Sequence, residues 1–509
     1  MVRRLGAVYA MALFCAAAAP LAAQNGDAAS QSAAAAKSNF NTAQFASYVD
    51  KAFKSSSTPG MAIAIVSGDQ ILWTQTFGVA NLATRQPVTP DTLFNTGSVT
   101  KSLTAAVVMS LAEEGLLDLD RPVSEYHPGL MPEALEGVVT LRDLLAHRSG
   151  LAPAAYSLMG EIGRAEAVRR IRLLPIAAPV RTKMIYNNFG YLAAAAVAER
   201  VSGKSWEALV RERALAPAGM RAKLEQSERG GAAVAQAHGA RDERVIAFAP
   251  VSLAAVAPAG AIELDITNLA RWVQVQLNSG AVGERQIFTA RGAHEMRSPQ
   301  IWQPVTPGFQ KIWPTTHFRG YGLGWFLRDY QGVKLVEHGG NTAGFTAQIA
   351  MVPERDFGVA ILSNLDGDSL PVALMYQAID SALGIQGSDW VAAFKQLSSA
   401  APTPAPAAAQ AAAAPAPPLA ALAGTYSHPF YNAVRITSGR PTLSIAISER
   451  LQGSLAPAGG PAFKVTWSDP YFSMIGDGFR WQFEDFVNGV PQTLRYDLPG
   501  DPILFKRSG

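Results

Sequence analysis

Gly97-Ser98-Val99-Thr100-Lys101-Ser102-Leu103-Thr104-Ala105-Ala106-Val107-Val108-Met109 is the stretch from which the rest of the chain is best read. Everything after Ser98 suits a helix running toward Leu116 and broken near Gly115. Ser98 then falls in the first turn, and Lys101, three residues on, shares its face. A serine hydroxyl is a poor nucleophile until a neighbour takes its proton. A lysine one turn away, partly drawn out of water, loses its own proton more easily and can do so. The helix start adds a positive dipole and free N–H groups near any developing oxyanion. Taken alone the pattern is weak, because a helix cap with a solvated lysine also satisfies it.

Two distant segments add to it. Tyr186-Asn187-Asn188 precedes Phe189-Gly190-Tyr191-Leu192 and an alanine-rich helix that ends at Ser202-Gly203, a glycine stop signal. A phenol and an amide at spacing two, just before a helix, can stand beside the serine. Glu337-His338-Gly339-Gly340-Asn341 follows a strand candidate, and its glycines allow close approach of backbone with N–H groups left free.

In this order Ser98–Lys101, Tyr186–Asn188 and His338–Gly340 resemble three motifs of the serine β-lactamase and penicillin-binding superfamily: S-x-x-K, Y-x-N, and K-T-G or H-x-G. The likeness is to the branch of class C β-lactamases, D-peptidases and related esterases, and it spans roughly residues 40–390. Leu141-Arg142-Asp143-Leu144-Leu145-Ala146-His147-Arg148-Ser149-Gly150-Leu151, Tyr321-Gly322-Leu323-Gly324-Trp325, Val352-Pro353 and Ser363-Asn364 support it. The resemblance implies that Ser98 attacks a carbonyl and is acylated while Lys101 shares the proton load. Tyr186, as phenolate or through Lys101, would serve as general base and then protonate the leaving group. Asn188 would bind the substrate amide and orient Lys101. Backbone N–H groups of Ser98 and Asn341, beside Gly340, would form the oxyanion hole. No cofactor or metal is implied.

His338 departs from the lysine form of the third motif. That lysine suits a substrate carboxylate, whereas an imidazole of pKa near 6.5 is mostly neutral at pH 7. The H-G-G form resembles esterases and peptidases of the branch more than antibiotic-resistance enzymes. The expected function is cleavage of an amide or ester in a small-molecule or peptide substrate. The rival expectations are a penicillin-binding sensor or pseudoenzyme acylated without turnover, and a protein whose C-terminal β-domain is the working wall or binding module.

Working outward, a helix-like stretch runs from about Phe40 to Phe53, and Met61–Val66 and Ile71–Gln75 flank Ser67-Gly68-Asp69-Gln70 as a hairpin. Lys334–Glu337, Thr346–Val352 and Gly358–Leu362 are further strand candidates. Helical pattern dominates residues 98–300 between them. This predicts an α+β fold: an antiparallel sheet flanked by helices, with a helical subdomain. An Ala/Pro-rich linker follows, with Ala401-Pro402-Thr403-Pro404-Ala405-Pro406 at its start. Beyond it Val434–Ile436, Leu443–Ile447, Phe479–Phe483 and Leu494–Leu498 alternate at period two, as in a small antiparallel β-barrel or sandwich. This piece resembles the lipocalin-like domain appended to some such hydrolases. The expected organisation is a signal peptide at 1–23, a flexible leader at 24–39, a hydrolase domain at 40–395, a linker at 396–419 and a β-domain at 420–509.

The signal assignment rests on Arg3 and Arg4, the apolar run Leu5–Ala19, and the small residues around Leu21-Ala22-Ala23. That run is short of the roughly 20 residues a membrane span needs, so a periplasmic or secreted protein without a stable span is expected. The sole cysteine, Cys15, falls inside the signal, which excludes thiol nucleophiles and cysteine-held metals from the mature chain. A formal charge of +3 over 509 residues gives no reason to expect nucleic acid as partner. The scattered histidines form no H-x-x-x-H pair, and no serine sits in a G-x-S-x-G elbow. The aromatic stretch Trp302 to Trp325 is read either as a cleft wall or lid, or as ordinary core and surface.

Overall fold

Apolar runs bounded by turn residues pair into an eight-stranded, wholly antiparallel sheet. Its strands are β1 (Gly60–Val66), β2 (Ile71–Gly78), β3 (Ile301–Gln303), β4 (Arg319–Tyr321), β5 (Phe326–Tyr330), β6 (Val333–Thr342), β7 (Phe345–Val352) and β8 (Phe357–Ser363). They lie in the order β2-β1-β8-β7-β6-β5-β4-β3. The outer strands from both ends of the sequence therefore meet in the middle, where Ala62 faces Leu362 and His338 faces Ile349. β1 and β8 are buried along their whole length, as expected of strands covered on both faces.

One face is covered by α1 (Thr42–Lys54) and α5 (Ser369–Leu383). The other carries the main core, centred on α2 (Thr100–Glu113), α3 (Asn188–Ser202) and α4 (Ile266–Leu277). Every residue of α2 from Thr100 to Leu111 is buried, so this helix passes through the core rather than over it. Its polar side chains are held accordingly: Trp272 donates to Ser102 at 2.8 Å, and Trp206 donates to Thr104 at 3.0 Å. Gly115, at φ +75°, follows the helix end.

This computed structural model describes residues 40–224, 233–241, 244–400, 417–439, 442–497 and 502–508. The expected signal peptide, the leader 24–39 and the central part of the linker lie outside the described residues. Among the described residues no helix is long and apolar enough to cross a membrane.

The C-terminal piece is a closed antiparallel barrel rather than a sandwich. Its strands are β9 (Gly424–Ser427), β10 (Val434–Ser438), β11 (Leu443–Ala446), β12 (Gln452–Gly459), β13 (Ala462–Trp467), β14 (Arg480–Val487), β15 (Val490–Tyr496) and β16 (Ile503–Arg507). β9 closes on β16 through the pairs Tyr426–Arg507 and Ser427–Lys506. The inward positions are filled by side chains such as Leu455, Phe463, Trp481, Phe483 and Phe505. Trp481 stacks on Tyr496 with ring centroids 4.2 Å apart. Between β13 and β14 lies a short helix, α6 (Pro470–Gly476), capped by Asp469.

The barrel and hydrolase cores interlock. Phe430, from the barrel, is 1% exposed within the hydrolase core, its ring 5.1 Å from that of Phe189. Leu158, from the hydrolase, is buried in the barrel core. Arg170 donates to the Phe430 carbonyl at 2.9 Å, and Arg450 donates to the Pro250 carbonyl at 2.6 Å. Phe430→Ala should therefore lower the stability of the whole protein by about 3–5 kcal/mol, the usual cost of emptying a buried phenylalanine site. Thermal or denaturant unfolding checks this, and a loss confined to the barrel transition would contradict it.

Candidate active site

Ser98 sits in a 3-10 turn, Gly97–Val99, that leads directly into α2. The serine is half-buried, whereas Lys101, one turn later, is fully buried. Lys101 Nζ lies 2.8 Å from Ser98 Oγ, 2.8 Å from Asn188 Oδ1 and 2.9 Å from the Ala259 carbonyl. None of these partners is a carboxylate, and burial pushes the ammonium well below the usual lysine range. As an ammonium, Lys101 donates to all three oxygens; once neutral, it can keep the two carbonyl bonds and turn its lone pair to the serine hydroxyl. In that neutral form Lys101 could accept a proton from the Ser98 hydroxyl.

Asn188 begins α3, and its position depends on the residue before it. Asn187 caps the helix, accepting from the Phe189 N–H at 2.8 Å and donating to the Ala152 carbonyl at 2.7 Å. The Asn187 N–H donates to His147 Nδ1 at 3.1 Å. His147 stands at φ +57° in the turn after the helix Leu141–Leu145. That turn is anchored by Asp143, wholly buried, which accepts from Arg148 at 2.7 Å and Arg181 at 2.7 Å. The Leu141–Leu151 stretch therefore serves the site by fixing the Tyr186–Asn188 loop.

Tyr186 places its ring 4.8 Å from Lys101 Nζ, and its phenol is near enough to Ser98 to feel the hydroxyl. It packs against His147 at 4.3 Å and stacks on Phe326 at 6.4 Å. Burial raises its phenol, and the neighbouring Ser98 hydroxyl offsets this only in part. Burial thus favours the neutral amine at Lys101 and the neutral phenol at Tyr186, so near neutral pH Lys101 is the group more readily free to accept a proton and Tyr186 the one that still carries its own.

The far wall is the end of β6. A Cβ on Gly340 would lie 1.9 Å from the Thr96 carbonyl and 3.0 Å from the Ser98 nitrogen. A Cβ on Gly97, which has φ +51°, would lie 2.8 Å from the Asn341 nitrogen. Two glycines thus let strand and turn approach closely, with the Ser98 and Asn341 nitrogens on the two sides of that seam. Such paired backbone donors can hold the negative oxygen of a tetrahedral intermediate. The Asn341 side chain is spent elsewhere, accepting from Thr346 and the Gly367 N–H and donating to Asp366, each at 2.9 Å.

His338 lies behind these groups, 1% exposed. Its Nδ1 faces the Gly339 carbonyl at 2.7 Å and must carry the proton, so Nε2 accepts from the Tyr321 hydroxyl at 2.9 Å. Burial, with the Lys101 charge next in importance, pushes its pKa down to about 3. Both nitrogens are occupied and the ring is neutral, so His338 supports the strand and Tyr321. His147 and His238 are also buried with lowered pKa values, chiefly through desolvation. The unfolded chain binds protons at these histidines below about pH 6.5 while the folded state does not, so stability should fall as pH drops from there. Thermal midpoints across pH 7 to 4 read this slope; a flat profile would contradict it.

Among the described residues no cluster of His, Cys, Asp and Glu could hold a metal ion. The aromatic stretch Trp302 to Trp325 divides in space. Tyr321 and Trp325 are core, whereas Trp302 and Phe318 are 62% and 65% exposed with centroids 6.2 Å apart.

Residues 45–383 match the family model described as Beta-lactamase. The chain belongs to the β-lactamase family. This β-lactamase-family chain is 30% identical over 434 residues to the unguisins hydrolase of Aspergillus violaceofuscus, covering 76% of the chain and 75% of that protein. It is 29% identical over 318 residues to penicillin-binding protein 4 of Amycolatopsis lactamdurans, covering 60% and 81%. Among solved structures it is similar in fold to the octameric penicillin-binding protein homologue from Pyrococcus abyssi (TM-score 0.60, 22% identity, 92% of this chain and 100% of that one). It is likewise similar in fold to SurE (TM-score 0.55, 22% identity, 92% and 98%).

Proposed function

We propose that this protein is an exported serine hydrolase that cleaves an amide or ester bond through an acyl-Ser98 intermediate. The observation that carries the reading is the 2.8 Å contact between Ser98 Oγ and a fully buried Lys101 that no carboxylate neutralises. Lys101 takes the serine proton as Oγ attacks the carbonyl carbon, and the oxyanion settles between the Ser98 and Asn341 N–H groups. Tyr186 then gives its proton to the leaving group; in deacylation it takes a proton from the attacking water, and Lys101 returns the stored proton to Ser98 Oγ as the acyl group departs. The hydrolase relatives support the class of reaction.

Peptidase or esterase action is favoured over efficient β-lactam hydrolysis. His338, where a lysine would meet a substrate carboxylate, is neutral and enclosed. Export to the periplasm or beyond rests on the signal-like residues 1–23. A panel of chromogenic esters, peptide anilides and β-lactams, read beside intact-protein mass, tests the reading. Ester or anilide turnover that disappears in Ser98→Ala supports it. A stoichiometric adduct without turnover on any substrate would indicate a penicillin-binding sensor instead.

A further inference from the structure

The nucleophile's turn and the end of β6 meet through two residues that have no side chains. A Cβ on Gly97 would stand 2.8 Å from the Asn341 nitrogen, and one on Gly340 would stand 3.0 Å from the Ser98 nitrogen. Among the described residues no backbone hydrogen bond crosses from Gly97–Val99 to β6. Contact between glycines limits how close the two backbones come, but it does not stop them sliding or parting. Another group must set the spacing of the Ser98 and Asn341 N–H groups.

Asn95 is placed to do so. Its side-chain oxygen accepts from the Gly97 N–H at 2.8 Å and from the Thr342 hydroxyl at 3.3 Å. A backbone N–H can only donate, so the amide atom that meets it is the oxygen. Gly97 precedes Ser98, and Thr342 follows Asn341. One oxygen therefore ties together the neighbours of both N–H groups. Asn95 and Thr342 are each 9% exposed, so water competes little for these bonds.

Asn95 is itself held firmly. It pairs with Glu263 in the short ladder Phe94–Asn95/Glu263–Leu264. The next residue, Thr96, donates to the Ile262 carbonyl through its N–H at 2.9 Å and its hydroxyl at 2.8 Å. Glu263 is fastened to Lys223 by backbone bonds of 3.0 and 2.9 Å and by an ion pair of 2.7 Å. The Asn341–Thr342 segment thus has two sets of ties: the Asn341 side chain to Thr346, Asp366 and Gly367, and the Thr342 hydroxyl to Asn95.

We propose that Asn95 is a positioning residue for the oxyanion site, setting the spacing between the Ser98 and Asn341 N–H groups. It rests on the acyl-Ser98 reading and adds to it a side chain that acts through Gly97 and Thr342. The tie matters because N–H···O bonds weaken steeply with poor distance and angle. Donors fixed before the reaction also need no reorganisation as charge develops on the oxygen.

The test compares p-nitrophenyl acetate with its thiono analogue, in which sulfur replaces the carbonyl oxygen, on the full-length protein. Sulfur is a weak acceptor, and the longer C=S bond misplaces it, so a working oxyanion site favours the oxygen ester. Each kcat/KM is divided by the rate of alkaline hydrolysis of the same ester. The ratio is taken within one variant, so general loss of activity cancels. The wild type should prefer the oxygen ester by roughly 10- to 100-fold. Asn95→Leu, similar in size but without an acceptor, should cut that preference about 10-fold. Thr342→Val, which removes only the longer bond, should cut it several-fold, and Thr342→Ser, which keeps the hydroxyl, should restore it. The Thr342 pair carries the test if Asn95→Leu does not fold. A preference left unchanged by either Asn95→Leu or Thr342→Val would overturn the positioning role. A wild-type ratio near one would overturn the oxyanion site and this proposal with it. Oxygen-ester turnover that survives Ser98→Ala would instead overturn the nucleophile assignment.

Discussion

Lys101→Met should lower kcat for a simple ester by about 10²- to 10⁴-fold, the range expected when a positioned proton acceptor is lost. Methionine matches the length of lysine but cannot relay a proton from Ser98 Oγ. Lys101→Arg should be equally inactive, because a guanidinium keeps the charge and cannot act as a base. This pair separates two roles. If the charge of Lys101 merely stabilised an oxyanion, arginine would retain much of the activity. The pH profile gives an independent reading. Lys101 must be neutral to accept the proton, and burial lowers its pKa, so kcat/KM should rise with pH along a limb well below 10.5. The Asn188 and Ala259 carbonyls lose their donor in the methionine variant, at about 1–3 kcal/mol each. Thermal unfolding should show a folded protein with a modestly reduced midpoint.

Gly340→Ala should cost about 10²- to 10³-fold in kcat, the typical effect of losing an oxyanion donor. The added methyl would stand 1.9 Å from the Thr96 carbonyl, a backbone atom that cannot swing aside. The strand must move away from Ser98, carrying the Asn341 N–H with it. Gly339→Ala is the matched control. Its Cβ would meet only the end of the Gln348 side chain, at 2.7 Å, and that group can turn away. Steady-state kinetics on the two variants should therefore differ by at least an order of magnitude. Equal losses would mean that the strand end is not part of the oxyanion site.

Much of this arrangement could be read from the chain because its signals are local. The Ser98–Lys101 spacing needs only a helix start, and Gly203 at φ +69° marks the end of α3 where the sequence places it. Strands β1, β7 and β8 are dense apolar runs between turn residues, so the α+β sheet followed from composition. Other parts have no such signature. The third partner of Lys101 is the backbone carbonyl of Ala259, which any residue would supply. Asn187, lying between two expected site residues, proves to be the cap that positions them. Strand β12, Gln452–Gly459, contains Gly453 and Pro457 and lacks apolar alternation, so a closed barrel could not be told from a sandwich. The exchange of Leu158 and Phe430 between two cores depends on contacts far apart in sequence. It also means that deleting residues 420–509, which the linker suggests as a clean cut, would remove part of the hydrolase core. Point variants on the barrel surface are the sounder probe.

The proposed reaction requires that the hydroxyl of Ser98 become covalently acylated. Acid quenching during ester turnover, followed by tryptic digestion and fragment mass analysis, measures this directly. An acyl increment is expected on the peptide Gln86–Lys101, mapping to Ser98 and absent from Ser98→Ala. An increment on another residue, or brisk turnover by the Ser98→Ala protein, would contradict it.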